Sequence, residues 1–443
     1  MGRELFETFP VFRESIIQSD GIFTKIVGKS LIHDYGLFGS HRPSTPLPDP
    51  WPADLTLPSL AVFQVAMFDL LTHIGIKPDM VLGHSAGETT VLYASGAGSR
   101  EMVISLAIAR GAAFRSIEEF GGTMAALSCN ADDALRLIRL ARCDNVDIAC
   151  YNSPSAVAIS GKGEAIDQLL SLAVAEGITA TKLKTKVPVH SAMMELCREQ
   201  YQSLVGDVFA QSNGSHEPQI PTISTLTGKL LPSAFDAKYF WDNARSAVMF
   251  TDAMATATSM NGNPVFIEIS PHPGLSSYIQ KQTSIPDQVL SCARRPRKGQ
   301  GPVELSVFLQ MLGSLTVSGY NAIHFHRVHG SQRSAKNRDR STLIQYPFAR
   351  KAFPLYPDLP SVQKQLEPHN GPLNHKYLRI NQDTHPSLVE HVIRGEPIMP
   401  AAGFLEMVCV RSILMQSTAD FPLRRLNLVP PASSMLISGL YCP

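Results

Sequence analysis

The sequence predicts an α/β protein: a hydrolase-like parallel-sheet core carrying an inserted ferredoxin-like βαββαβ subdomain. Two observations predict it. A short apolar strand, Met80–Leu82, runs through Gly83-His84-Ser85-Ala86-Gly87 into a helical stretch, the strand–turn–helix pattern of a nucleophile elbow. Between Thr123 and Lys184 the order is strand, helix, strand, strand, helix, strand, that of the split βαβ unit. The chain has 443 residues, 44% of them apolar, which suits sizeable cores and more than one domain.

In chain order, Glu4 to Ser19 is helix-like, and His41 to Pro52 is a proline-rich connection. Pro58 opens a helix whose Leu60, Phe63, Met67, Leu70, Leu71 and Ile74 recur at helical spacing. Gly75 and Pro78 end it. After the elbow, Glu88 to Ala94 and Arg100 to Phe114 are helical. The small subdomain takes strands at Thr123–Ser128, Val146–Tyr151, Ala156–Ser160 and Thr179–Lys184, with helices at Ala131–Arg142 and Gly163–Ala175. The larger α/β pattern then resumes, and Val265–Ile269 is its last convincing strand. The first domain is expected over residues 1–292, with the subdomain at about 123–185. Basic, Gly- and Pro-containing sequence from Ala293 to Gly301 opens a linker over 293–370. That linker holds one helix, Val303 to Ser318, and five prolines between Pro347 and Asn370. A further segment covers 371–443.

Composition excludes several functions. Lys+Arg 39 against Asp+Glu 38 leaves no basic surplus for nucleic acid. The seven cysteines form no C-x-x-C pair, so neither a zinc site nor a disulfide framework is expected. His324, His326 and His329 have metal-like spacing, but they lie beside Arg327 and Arg333 with no carboxylate among them. A surface stretch is the expectation there, and no metal site. The N-terminus has no signal-like apolar core, and no uncharged apolar stretch reaches membrane-spanning length. A cytoplasmic protein without a membrane partner is expected.

Ser85 stands at the tip of the elbow. There the backbone N–H of Ala86 can donate to a developing oxyanion. A serine hydroxyl needs a base. Fourteen histidines are available, and His190 follows directly on the small subdomain, where the chain returns to the main sheet. His84 is adjacent to Ser85 and is expected to be structural. Arg110 sits inside the apolar run Leu106-Ala107-Ile108-Ala109-Arg110-Gly111. Either it snorkels to solvent or it forks onto a substrate carboxylate.

Taken together, these residues resemble the acyltransferase domain of fungal-type iterative polyketide synthases, and more widely the malonyl transferases of fatty-acid synthesis. The resemblance rests on Gly83-His84-Ser85-Ala86-Gly87-Glu88, Arg110, Ala149-Cys150-Tyr151-Asn152-Ser153-Pro154, and His190-Ser191 with Met194. Tyr239-Phe240-Trp241-Asp242-Asn243 and Phe266-Ile267-Glu268-Ile269-Ser270-Pro271-His272-Pro273 continue it. It covers roughly residues 4 to 290.

The resemblance implies that Ser85 attacks the thioester of malonyl-coenzyme A with His190 as base, while Arg110 pairs with the malonyl carboxylate. The acyl group then passes to the phosphopantetheine thiol of an acyl carrier protein. No permanently bound cofactor is implied, and the other partners are polyketide synthase domains. A backbone carbonyl at about Met249 would orient His190. The resemblance also implies a strand and a Gly-Gln-Gly motif ahead of the first helix, its Gln being the second oxyanion donor. No such motif occurs here, so only the Ala86 amide is expected from the chain. The residue before the base, which helps select the acyl group in such domains, is Val189.

His391, Gly395 and Pro400 fit H-x-x-x-G-x-x-x-x-P. This is similar to the start of the hot-dog dehydratase of reducing polyketide synthases, in which that histidine is the base. Residues 371–443 are therefore expected to be a partial hot-dog segment with a vestigial base, His391, and no dehydratase activity. Two alternatives stay open: a serine hydrolase or thioesterase, which shares the elbow, and a non-catalytic fragment of a truncated synthase gene.

Overall fold

The computed structural model describes residues 1–40, 46–143, 145–261, 264–297, 299–328, 390–401 and 403. The chain divides after Asp339 into two units.

The first unit opens on α1 (Arg3–Thr8) and α2 (Pro10–Val27), with Pro10 at the first helical position of α2. There the missing N–H costs nothing. The next helix, α3, runs Ala53–His73 and starts earlier than its Pro58 suggests. The carboxylate of Glu118 accepts the N–H of Ala53 at 2.7 Å and so caps a turn that the local sequence leaves unmarked. By length and composition α3 could cross a membrane. In this fold its Val62, Phe63, Ala66, Met67 and Leu70 are buried in the unit's own core.

Strand β1 (Val81–Leu82) leads into the elbow, followed by α4 (Glu88–Ala94) and α5 (Arg100–Arg115). The small subdomain follows as β2 (Gly122–Leu127), α6 (Ala131–Leu140), β3 (Val146–Ser153), β4 (Ala156–Lys162), α7 (Gly163–Ala175) and β5 (Ala180–Lys182). Its antiparallel sheet has the order β3-β4-β2-β5. Each strand–helix–strand pair therefore straddles a strand of the other, as the predicted unit requires. The sheet buries Leu127, Ile148 and Ile159 against Leu137 of α6 and Ile166 and Leu169 of α7.

The main fold resumes with α8 (Arg198–Gln211), β6 (Thr222–Ser224), β7 (Lys229–Leu230), α9 (Ala237–Arg245), α10 (Phe250–Asn261), β8 (Phe266–Glu268), α11 (Ser276–Gln280) and β9 (Val289–Ser291). The parallel core takes the form of two pairs, β1 with β6 and β8 with β9, and β7 adds antiparallel to β6. Between α9 and α10, Val248 forms a parallel bridge with Cys150 of β3. This bridge ties the small subdomain to the segment that faces the site.

Helix α12 (Glu304–Val317) lies in the stretch expected to be linker. It is built into the first core nonetheless, with Phe308, Met311, Leu312 and Leu315 buried there. Glu304 accepts the N–H groups of Gly2 and Glu4 at 2.6 and 3.2 Å, and Glu4 accepts that of Glu304 at 2.7 Å. The two helix starts thus cap each other with opposed carboxylates. His324 and His326 lie just beyond, and among the described residues no cluster suits a metal ion. His329 is outside the described residues, as is most of 371–443. The second unit's described part is a short hairpin pairing Val392–Ile393 with Glu396–Pro397.

Candidate active site

The elbow is built by close approach. A Cβ on Gly83 would stand 2.5 Å from the backbone N of Glu88, so only glycine lets the first turn of α4 fold back onto the strand end. Ser85 then takes φ +55, in the left-handed region. A non-glycine residue there is held by its surroundings, and such strain gathers at functional sites. The turn Ser85–Gly87 leads straight into α4. Ala86 lies in that turn, ahead of α4, where no earlier helical turn supplies an acceptor for its N–H, so the amide can face a developing negative charge.

His190 meets this serine from the far side of the small subdomain. The Ser85 hydroxyl donates to His190 Nε2 at 2.7 Å. His190 also has positive φ, +63, and is only 1% exposed. Its Nδ1–H donates to the carbonyl of Ser246 at 2.8 Å. That bond fixes the tautomer and leaves the Nε2 lone pair for Ser85. The orienting carbonyl is thus Ser246, not Met249 as the resemblance implied. Met249 opens α10 instead: its N–H donates to Thr225 and its carbonyl accepts from Ala253. Burial pushes the His190 pKa down to about 3, assisted by the positive Arg110, against the opposing pull of the Ser246 carbonyl. The base is neutral and ready to accept a proton across the physiological range.

His84 points away from the reaction. Its Nε2–H donates to Asn152 Oδ1 at 2.8 Å and its ring packs edge-on against Phe250. It pins the elbow to β3, a structural role.

Arg110 is the largest fully buried polar side chain, at 1% exposure. Its Nη1 donates to Thr89 Oγ1 at 2.6 Å and its Nη2 to Asn243 Oδ1 at 2.9 Å. Phe240 and Phe114 flank the guanidinium at 5.6 and 6.0 Å. Its Nε has no partner, and among the described residues no carboxylate pairs with it. A buried cation held only by neutral groups is costly unless an anion arrives. Snorkelling is therefore not its role.

Four contributors carry no sequence signal of their role: Ser246, Thr89, Asn243 and Glu88. Ser246 carries no side-chain signal, because its role is a backbone carbonyl. Thr89 and Asn243 both fall within quoted motifs or next to one, but nothing local says that they face Arg110. Glu88, third after the nucleophile, is fully buried. An acid in the first turn of a helix ordinarily reads as a dipole partner. His391, in the second unit, is exposed, and its Nδ1–H donates to the Ile398 carbonyl at 2.7 Å. The expected catalytic set thus divides: Ser85, His190, Ala86 and Arg110 lie in the first unit and His391 in the second.

A serine–histidine pair, a free helix-start amide and a buried cation can form and resolve an acyl ester. Residues 1–322 match the acyl transferase domain family. The chain belongs to the acyl transferase domain family. This acyltransferase is 40% identical over 415 residues to a highly reducing polyketide synthase of Strobilurus tenacellus, covering 92% of this chain and 15% of that protein. It is 28% identical over 443 residues to a highly reducing polyketide synthase of Aspergillus terreus, covering 92% of this chain and 16% of that one. The chain therefore spans about one sixth of the length of these relatives. Its fold is similar to the acyltransferase domain from the second module of the salinomycin polyketide synthase, with a TM-score of 0.63 and 26% identity over 78% of this chain and 75% of that one. A loading acyltransferase from the avermectin modular polyketide synthase gives a TM-score of 0.62 at 27% identity, over 71% of this chain and 95% of that one.

Proposed function

We propose that this acyltransferase loads a malonyl-type unit from coenzyme A and passes it to the phosphopantetheine thiol of an acyl carrier protein within a polyketide synthase. The observation that carries the reading is Arg110, a buried guanidinium in a serine–histidine site that no carboxylate among the described residues pairs. A planar fork suits a carboxylate in two-point contact, and a malonyl group supplies one.

In the first half-reaction Ser85 Oγ attacks the thioester carbon while its proton moves to His190 Nε2. The oxyanion collapses, the C–S bond breaks, and the His190 proton leaves with the coenzyme A thiol. In the second half the carrier thiol gives its proton to Nε2 and its sulfur attacks the ester carbon. The Oγ–C bond breaks and Ser85 recovers the proton. The Ala86 amide supports the oxyanion in both halves. The His190–Ser246 bond holds the imidazolium without any carboxylate.

We extend the reading to residues 371–443 as a dehydratase-like hot-dog segment, supported by the spacing of His391, Gly395 and Pro400.

The alternative is hydrolysis, in which water takes the acyl group. A chase experiment separates the two. Malonyl-enzyme is expected to lose its acyl group rapidly when phosphopantetheinylated carrier protein is added, with malonyl-carrier as product, and slowly in buffer alone. Free malonate formed at the same rate with and without the carrier would instead mark a thioesterase.

A further inference from the structure

Glu88 lies three residues after the nucleophile, 0% exposed. Only one of its oxygens is satisfied. Oε1 accepts the N–H of Thr225 at 2.8 Å and its hydroxyl at 2.6 Å. Oε2 is buried and has no hydrogen-bond partner. The other buried glutamates are treated differently. Glu268 accepts backbone donors from Gly274, Leu275 and Ser276, and hydroxyls from Ser270 and Ser276, across both oxygens. Glu118 takes the Ala53 amide and pairs with Arg115. An ionised carboxylate with one bare, buried oxygen is expensive, whereas a neutral acid is not.

The groups around Glu88 are few. Thr225 follows β6, Arg110 comes from α5, and Tyr239 comes from α9, its hydroxyl 2.7 Å from Ser224 Oγ and near enough to the Glu88 carboxyl to favour its anion. On α3, Asp69 is already engaged by Arg100, Ser15 and Tyr93. Arg110 is the charged group that acts on Glu88, yet the two form no ion pair among the described residues. Arg110 bonds instead to Thr89, the very next residue. Carboxyl and guanidinium are both buried, and each is bonded to other groups: Glu88 to Thr225, Arg110 to Thr89 and Asn243.

We propose that Glu88 is a positioning residue: it keeps its proton in the empty site, leaves the Arg110 guanidinium without an internal anion, and so holds that guanidinium open for the carboxylate of the acyl group. This rests on the malonyl reading above. Burial acts in the same direction and raises the Glu88 pKa above the ordinary carboxylate value, outweighing the opposing pulls of Thr225, Tyr239 and Arg110. The sign of the pH dependence follows. Raising the pH strips the proton, and the Glu88 anion then competes with the substrate carboxylate for Arg110.

The test has two arms on the full chain. Infrared difference spectroscopy without substrate is expected to show a protonated-carboxyl C=O band at neutral pH that is absent in Glu88→Gln. Should that variant not fold, loss of the band from wild type at raised pH, tracked with carbon-13-labelled glutamate, serves instead. In the second arm, KM is followed for malonyl-coenzyme A and for acetyl-coenzyme A as the band disappears. KM for malonyl is expected to rise, by up to about tenfold per pH unit for one competing proton, with KM for acetyl unchanged. In Glu88→Gln, whose amide mimics the neutral acid, that rise is expected to vanish. Wild-type protein without the band at neutral pH overturns the proposal, and so does loss of the band with no rise in malonyl KM. The infrared arm needs no substrate, so its failure is distinct from a failure to load malonyl.

Discussion

Arg110→Ala is expected to lower kcat/KM for malonyl loading by about 10²–10³, or about 3–4 kcal/mol, while acetyl loading holds or improves. The magnitude follows from burial. Arg110 is 1% exposed, so a substrate carboxylate bound there leaves water and depends on the guanidinium alone. The asymmetry between substrates follows from two causes. Acetyl has no carboxylate to lose. In addition, the positive Arg110 depresses the basicity of His190, and its removal relieves that pressure. Arg110→Lys is expected to restore only part of the malonyl rate, because a point charge cannot reproduce the fork held by Thr89 and Asn243. Steady-state kinetics with both thioesters would check the split. Equal losses for malonyl and acetyl would mean that Arg110 supports the fold rather than the carboxylate.

His190→Ala is expected to lower acyl loading by about 10⁴ or more, since a nucleophile and its base act as a unit. Single-turnover loading would measure this. The geometry leaves no substitute: His84, the nearest other imidazole in sequence, is committed to Asn152. The same burial fixes the pH behaviour. With a folded pKa of about 3, His190 stays neutral from pH 5 to 8, so kcat/KM is expected to show no acid limb from this residue in that range. Stability carries the opposite signature. Between pH 3 and about 6.5 the unfolded chain binds a proton that the folded chain refuses. Stability is therefore expected to rise with pH across that window, by at most about 1.4 kcal/mol per pH unit from this residue, and to level off above it.

The elbow and the small subdomain were legible in the sequence because both are local. Gly83, Ser85 and Gly87 stand within one turn, and the βαββαβ order is written in strand and helix periodicity. Arg110 was legible as an anomaly, a cation inside an apolar helix. What the sequence could not convey was contact across long separations. Which carbonyl meets His190 depends on how the loop between α9 and α10 bridges to Cys150, and this selects Ser246 over Met249. The early start of α3 depends on Glu118, sixty-five residues on. The burial of α12 depends on the reciprocal caps of Glu4 and Glu304, at opposite ends of the unit. The state of Glu88 depends on Thr225 and Tyr239, which no local pattern links to it.

The central claim is that Ser85 carries the acyl group as an ester. Intact-mass analysis of the chain after brief incubation with malonyl-coenzyme A, followed by peptide mapping, tests it most directly. The expected result is a gain of one malonyl group, located on the peptide containing Ser85 and absent from Ser85→Ala. An unmodified chain, or a malonyl group that persists in Ser85→Ala, would contradict it.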